Sequence, residues 1–218
     1  MQRPPFPVRH ELAGWQLFWA GLESSRPVAP AAVARLRAEA AAALRARLAP
    51  AELTAQPAVA ALRRLFRAAG TDPTRYRPAS EALARRVLKG GELPAIHPLV
   101  DLNNALSLAL LCPCCVMRAG SFSPPFTWRA GRAGESYESL RGGDFGLAGR
   151  PLLVDEIGPA DTPITGTTRV GIEPETTAAT LVAYLPDGVV EPADAEAALT
   201  DLAGRAGIDV GWTGLSRG

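Results

Sequence analysis

The 218 residues are 47% hydrophobic and 21% charged, with 23 basic residues against 22 acidic ones and a formal net charge of +1. That length suits one generous domain, or one domain with a helical extension, and can bury a sizeable core. A charge this near zero excludes attachment to nucleic acid through a general basic field, so any RNA contact has to come from a local patch. Lys89 is the only lysine, and the heavy use of Arg, Ala, Gly and Pro reflects a GC-rich bacterial genome. The opening Met1-Gln2-Arg3-Pro4-Pro5 leads into no apolar segment of a secretory signal. The longest apolar run, residues 105–116, is too short to span a membrane and contains Pro113. Three cysteines, Cys112, Cys114 and Cys115, form no disulfide framework. The expectation is a soluble, cytoplasmic protein with no membrane contact.

Residues 6–22 carry Trp15, Leu17 and Trp19 in alternation, which predicts a strand with one buried face. Pro27 and Pro30 break it. A helix follows with Val33, Leu36, Ala40, Leu44 and Leu48 on one face and arginines on the other. Pro50 and Pro57 bracket a linker, and the next helix buries Val59, Leu62, Leu65 and Phe66 before stopping at Gly70. Pro78 opens a helix that runs to Leu88, and residues 98–111 form another, with Leu99, Leu102, Leu106 and Leu110 inward. From Cys112 onward, short apolar runs such as 151–154 and 180–184 alternate with turn residues. A last helix covers about 194–206, up to Gly207. Helices lead and strands follow, so the fold class expected is α+β.

Standard catalytic signatures do not occur: there is no Gly-x-Ser-x-Gly elbow, no phosphate-binding loop and no paired histidine spacing. His10 and His97 are isolated, and Cys112-Pro113-Cys114-Cys115 is too compact for a zinc knuckle. Its plainer reading is a set of small apolar residues ending a buried helix. No metal and no cofactor is expected.

Four segments in order carry a resemblance. They are Asp72-Pro73-Thr74-Arg75-Tyr76-Arg77-Pro78-Ala79-Ser80-Glu81-Ala82-Leu83, Val100-Asp101-Leu102-Asn103-Asn104, Gly134-Glu135 with Leu140, and Asp155-Glu156-Ile157-Gly158-Pro159 with Thr162-Pro163 and Thr168-Arg169. Together they resemble free-standing B3/4 domain proteins and the B3/4 editing domain of the phenylalanyl-tRNA synthetase β subunit. The resemblance implies a mixed or antiparallel sheet flanked by helices. It divides the chain into a strand-and-helix region at 1–70 packed on the same domain, a B3/4-like core at 71–207 and a C-terminal tail at 208–218.

The resemblance further implies hydrolysis of mischarged aminoacyl-tRNA by a positioned water, without a covalent nucleophile or metal. The partners implied are tRNA and a small aminoacyl or amino-acid-like ligand; DNA is not expected. Asn103, Asn104 and Glu135 are the catalytic candidates, since paired asparagines are poor helix-interior residues unless their side chains are fixed by hydrogen bonds. Arg77, Cys115, Thr165, Thr167, Thr168 and Arg169 are the substrate-binding candidates. Small hydroxyls around Gly166 offer donors, acceptors and close backbone approach, and Arg169 offers a phosphate or carboxylate contact. Each has a plainer alternative: an internal polar bond for Asn103, backbone capping or a solvated carboxylate for Glu135, and a surface salt bridge at a turn between strands for Arg169. Cys115 stands where the synthetase pattern has histidine, which leaves two readings open, a trans-acting deacylase and a non-catalytic binding module.

Overall fold

The computed structural model describes residues 2–24 and 27–218. In chain order, β1 is Val8–His10 and β2 is Trp15–Glu23. Helix α1 (Pro30–Arg47), a 3-10 turn (Pro50–Ala55), α2 (Pro57–Ala68), α3 (Ala79–Leu88) and α4 (Pro98–Leu110) follow. Then come β3 (Cys114–Arg118), β4 (Phe126–Ala130), β5 (Ser136–Glu138), β6 (Asp144–Gly146), β7 (Pro151–Val154) and β8 (Pro159–Asp161). A 3-10 turn (Thr168–Val170) precedes β9 (Ala178–Pro186), α5 (Pro192–Ala206) and β10 (Asp209–Arg217). Helices α1, α2, α4 and α5 each place proline in the first turn, where its missing N–H forfeits no helical bond. The class is α+β, as expected.

Three layers result. The central sheet has the order β10-β2-β9-β3 and is antiparallel throughout; the outer sheet, β1-β4-β7-β8, is mixed because β1 and β4 run parallel. The β5–β6 hairpin stands apart as a two-stranded ribbon. Helices α4 and α5 pack on the central sheet, with α1 over both of them. The outer sheet covers the other face: Trp128 of β4 stacks on Tyr184 of β9 at 4.9 Å, and Phe126 lies 5.3 Å from Trp19.

Strand β2 therefore has no solvent face. Trp15, Leu17 and Trp19 point to the outer sheet, and by the two-residue period Phe18, Ala20 and Leu22 point to the helices. This corrects the expected strand with one buried face over residues 6–22, which is also two strands, separated by a turn at Gly14 with φ +80°. Between Pro50 and Pro57 the expected linker is a 3-10 turn that buries Leu53. The expected tail at 208–218 is strand β10, paired along β2. The N-terminal region supplies a strand to each main sheet.

Register slips between Val210 and Trp212, and the slip sets the Trp212 indole against Gly21 of β2. A methyl group at Gly21 would sit inside that indole. Gly21→Ala is expected to cost about 1–3 kcal/mol through overpacking, read as a lower denaturant midpoint with unchanged slope. Full stability in that variant would show that Trp212 is not held there.

Candidate functional site

Two chain reversals bring the candidate segments together. Helix α4 ends at Leu110, and Leu111 takes a left-handed conformation with φ 54°. That costs a non-glycine residue about 1–2 kcal/mol, against which the buried Leu111 side chain and a 3.0 Å bond from Ser80 Oγ to its carbonyl hold the corner. The chain then returns as β3, and Ser107 Oγ accepts the Cys114 N–H at 3.1 Å. Cys115 pairs with Val182 and so shares the face of β9 that carries Tyr184. The second reversal follows β8. Thr162 Oγ1 accepts the N–H groups of Ile164 and Thr165 and donates to the Thr165 carbonyl at 2.8 Å, closing a tight turn. The Ala79 N–H donates to the Pro163 carbonyl at 2.8 Å, which sets the start of α3, and Arg77 with it, against this turn.

Most predicted polar residues prove to be bonded inside the protein. Thr165 Oγ1 pairs with Ser139 Oγ at 3.0 Å, and the Tyr137 hydroxyl reaches Thr162 Oγ1 at 3.1 Å and also donates to the Thr165 carbonyl. Thr167 Oγ1 accepts the Arg169 N–H, and Thr168 Oγ1 donates to the Glu138 carboxylate at 3.2 Å on the surface. Arg169 grips Asp155 through two 3.0 Å bonds and donates as well to the carbonyls of Ser121, Gly158 and Pro159. The ligand phosphate or carboxylate expected for Arg169 is thus replaced by the protein's own Asp155. Glu135 makes a two-pronged pair with Arg129 at 2.6 and 2.8 Å and accepts the Arg132 N–H at 2.6 Å. The Arg129 guanidinium holds the Glu135 carboxyl down at about 2. Here too the capping alternative is the one the geometry gives.

Four candidates differ. Arg77 is exposed, and Asn104 is half-buried beside the buried Asn103. The Asn103 Oδ1 atom is buried and has no hydrogen-bond partner. Cys115 is partly exposed, and its thiol is pushed well up by burial and by the charge of Asp161. It is therefore a neutral thiol and a poor nucleophile at pH 7.

Asp161 was missed by the sequence reading. It is fully buried at the end of β8, where its Oδ2 accepts the Tyr184 hydroxyl at 2.6 Å while its Oδ1 has no N–H or O–H donor. The backbone of Gly166 lies over Oδ1, since a Cβ at Gly166 would sit 3.3 Å from it. Burial pushes the carboxyl up to about 7, despite the Tyr184 bond and the Cys115 thiol, which favour the charged form. The only hint in the sequence is an acid between two prolines within a short strand.

The four cavities that stand out among the described residues lie elsewhere. The widest, about 760 Å³, lies between the N-terminal segment and the end of β10. A second, about 410 Å³, is a groove over α1, α4 and α5. None of the four is lined by a candidate residue. No group of three or more His, Cys, Asp or Glu side chains among the described residues is placed to hold a metal ion. No helix among them is long and apolar enough to cross a membrane.

Two stability measurements check these assignments. Because the Glu135 pKa is depressed, the stability due to its ion pair is present above about pH 4.5 and lost as pH falls towards 2. Glu135→Gln is expected to cost about 1–3 kcal/mol at pH 7, and its gap from wild type should close on acidification. Arg169→Ala, which strands the buried Asp155, is expected to cost about 3–5 kcal/mol. Wild-type stability in that variant would return Arg169 to the ligand-binding candidates.

Comparison with known proteins agrees with this architecture. A family model described as the B3/4 domain matches residues 61–204. The crystal structure of an N-terminal fragment of the phenylalanyl-tRNA synthetase β-subunit from Pyrococcus horikoshii is similar, with a TM-score of 0.50 over 96% of this chain at 11% identity. At that identity the likeness is one of fold, and it covers 51% of the fragment, so this chain spans about half the fragment's length. No curated protein matches the sequence. With the family model extending over more than half its length, the chain belongs to the B3/4 domain family.

Proposed function

We propose that the protein acts in trans on aminoacyl-tRNA, hydrolysing the ester that joins a wrongly attached amino acid to the terminal ribose. The family, and the fold shared with a synthetase β-subunit fragment, favour a tRNA-linked role. The observation that carries the hydrolytic reading is Asp161. It is a fully buried carboxyl with no cation beside it and a pKa of about 7, close to the optimum for a general base at neutral pH.

An aminoacyl end that displaces the Gly166 backbone exposes Oδ1 to an attacking water. Asp161 takes a proton from that water, and the resulting hydroxide adds to the ester carbonyl carbon. The bond from carbonyl carbon to ribose oxygen then breaks, and the proton passes to that oxygen. Free amino acid and a tRNA with an intact hydroxyl are released. Tyr184 orients the carboxylate through Oδ2.

A second reading, a module that binds tRNA or an aminoacyl-like ligand without chemistry, is favoured by the neutral Cys115 thiol in place of the synthetase's histidine and by the internal engagement of Glu135 and Arg169.

Deacylation of a panel of mischarged tRNAs, beginning with Tyr-tRNA-Phe, separates the two. Wild type is expected to release amino acid at a rate that rises with pH through about 7, as Asp161 loses its proton. Asp161→Asn should fall about 10²–10⁴-fold and lose that pH dependence, and Asn103→Ala should fall less. Folding of the variant is checked separately. A carboxyl whose pKa is raised on folding makes wild type lose stability as pH climbs from about 4 to about 7, a loss the asparagine variant should not share. Bound tRNA with no release across the panel would establish the binding module instead.

A further inference from the structure

The β5–β6 hairpin has two unlike faces. In its register Tyr137 lies opposite Phe145, and Glu138 opposite Asp144. Strand alternation therefore puts both acids on one face and both aromatic rings on the other. On the aromatic face the Arg150 guanidinium lies 3.9 Å from the centre of the Tyr76 ring and 4.7 Å from that of Phe145. The two rings meet edge to face at 6.0 Å, and Arg75 approaches Tyr76 at 5.2 Å. Arg75 and Arg77 flank Tyr76 and are both exposed, and Arg77 has no charged partner among the described residues. A protein with a net charge of +1 thus sets the Arg75 and Arg150 guanidinium groups against two partly exposed rings, with the exposed Arg77 beside Tyr76 in the chain.

We propose that this face, built from Arg75, Tyr76, Arg77, Phe145 and Arg150, binds the single-stranded 3′ end of tRNA and holds the nucleotides just upstream of the ester. The identification of tRNA rests on the function proposed above. The chemistry of the face selects the strand: planar guanidinium groups and aromatic rings stack on unpaired bases of any sequence, whereas the bases of an A-form duplex are already stacked and out of reach. The free arginines supply phosphate contacts. The position of the face fits the reaction. Phe145 stacks on Tyr137 at 6.0 Å, and the Tyr137 hydroxyl bonds the turn that follows Asp161. On the other side, the residue two beyond Arg77 bonds that same turn at Pro163. A strand laid across the face thus delivers its last ribose to the turn above Asp161.

The test measures binding of an uncharged tRNA, and of the same tRNA trimmed of its unpaired 3′ nucleotides, at several salt concentrations. Arg75→Ala/Arg77→Ala is compared with a charge-matched control, Arg35→Ala/Arg217→Ala, whose residues are exposed elsewhere. The first pair is expected to weaken binding of intact tRNA about tenfold and to lower the log–log salt slope by about 1 to 2. Tyr76→Ala, checked for folding by its melting curve, should cost about tenfold through lost stacking. Trimming should weaken wild type and erase the difference between wild type and the arginine pair. A pair no weaker than the control, or trimmed tRNA bound as tightly as intact tRNA, would overturn the assignment.

Hydrolysis separates this outcome from failure of the proposed function. The arginine pair should lower kcat/KM for aminoacyl-tRNA further than it lowers that for an aminoacyl-adenosine ester. If neither substrate is cleaved by wild type, the hydrolytic reading falls while the binding comparison still decides the surface.

Discussion

The interior of this protein is organised by where carboxylates can bear to lose water. Burying an unpaired carboxylate costs several kcal/mol or forces it to take up a proton. Four buried acids occur among the described residues, and three are matched by arginine: Glu81 by Arg63 and Arg85, Asp101 by Arg37, Asp155 by Arg169. Each of these acids ties separate elements together. Glu81 joins α2 to α3, Asp101 joins α1 to α4, and Asp155 gathers the turn after β7 and the N–H of Ser123 around one guanidinium. The fourth, Asp161, has a tyrosine hydroxyl and a thiol for neighbours in place of a cation. Its charge is left uncompensated, and its proton becomes exchangeable near neutrality for that reason.

The same contrast explains what the sequence could reveal. The segments that carried the family resemblance contain Glu81, Asp101, Glu135, Asp155 and Arg169, and every one of these is a member of an internal ion pair. In this chain they serve the fold, so their presence says little about chemistry. Asp161 carries no such signature, because what distinguishes it is the absence of a cation, and an absence leaves no residue to read. Helical faces were legible because their apolar period is regular; Val33, Leu36 and Leu44 lie where the pattern put them. Strand β10 was not, since Gly211, Trp212, Thr213 and Gly214 are not a strongly apolar run, and its place depends on pairing with a strand almost two hundred residues earlier. Burial of β2 on both faces does have a sign, the unbroken apolar run at 17–22, which the alternation of Trp15, Leu17 and Trp19 masks.

The region around Asp161 is built by three elements that hold one another. The start of α3 bonds both the Leu111 corner and the Pro163 turn, so it fixes β3 and the turn after β8 relative to each other. The β5–β6 hairpin closes the assembly from outside through Tyr137 and Ser139.

Strand β2 has a consequence for how the chain is made. It is apolar on both faces and leaves the ribosome more than 150 residues before either of its hydrogen-bonding partners, residues 178–186 and 209–217. Until they arrive, a segment containing Trp15, Leu17, Phe18, Trp19 and Leu22 has no native strand to pair with. Its amides and carbonyls are open to any other extended chain. The long stretch of helices made in between cannot relieve this, so the nascent protein has to rely on speed, on transient collapse or on a chaperone to keep its central strand from pairing with a neighbour.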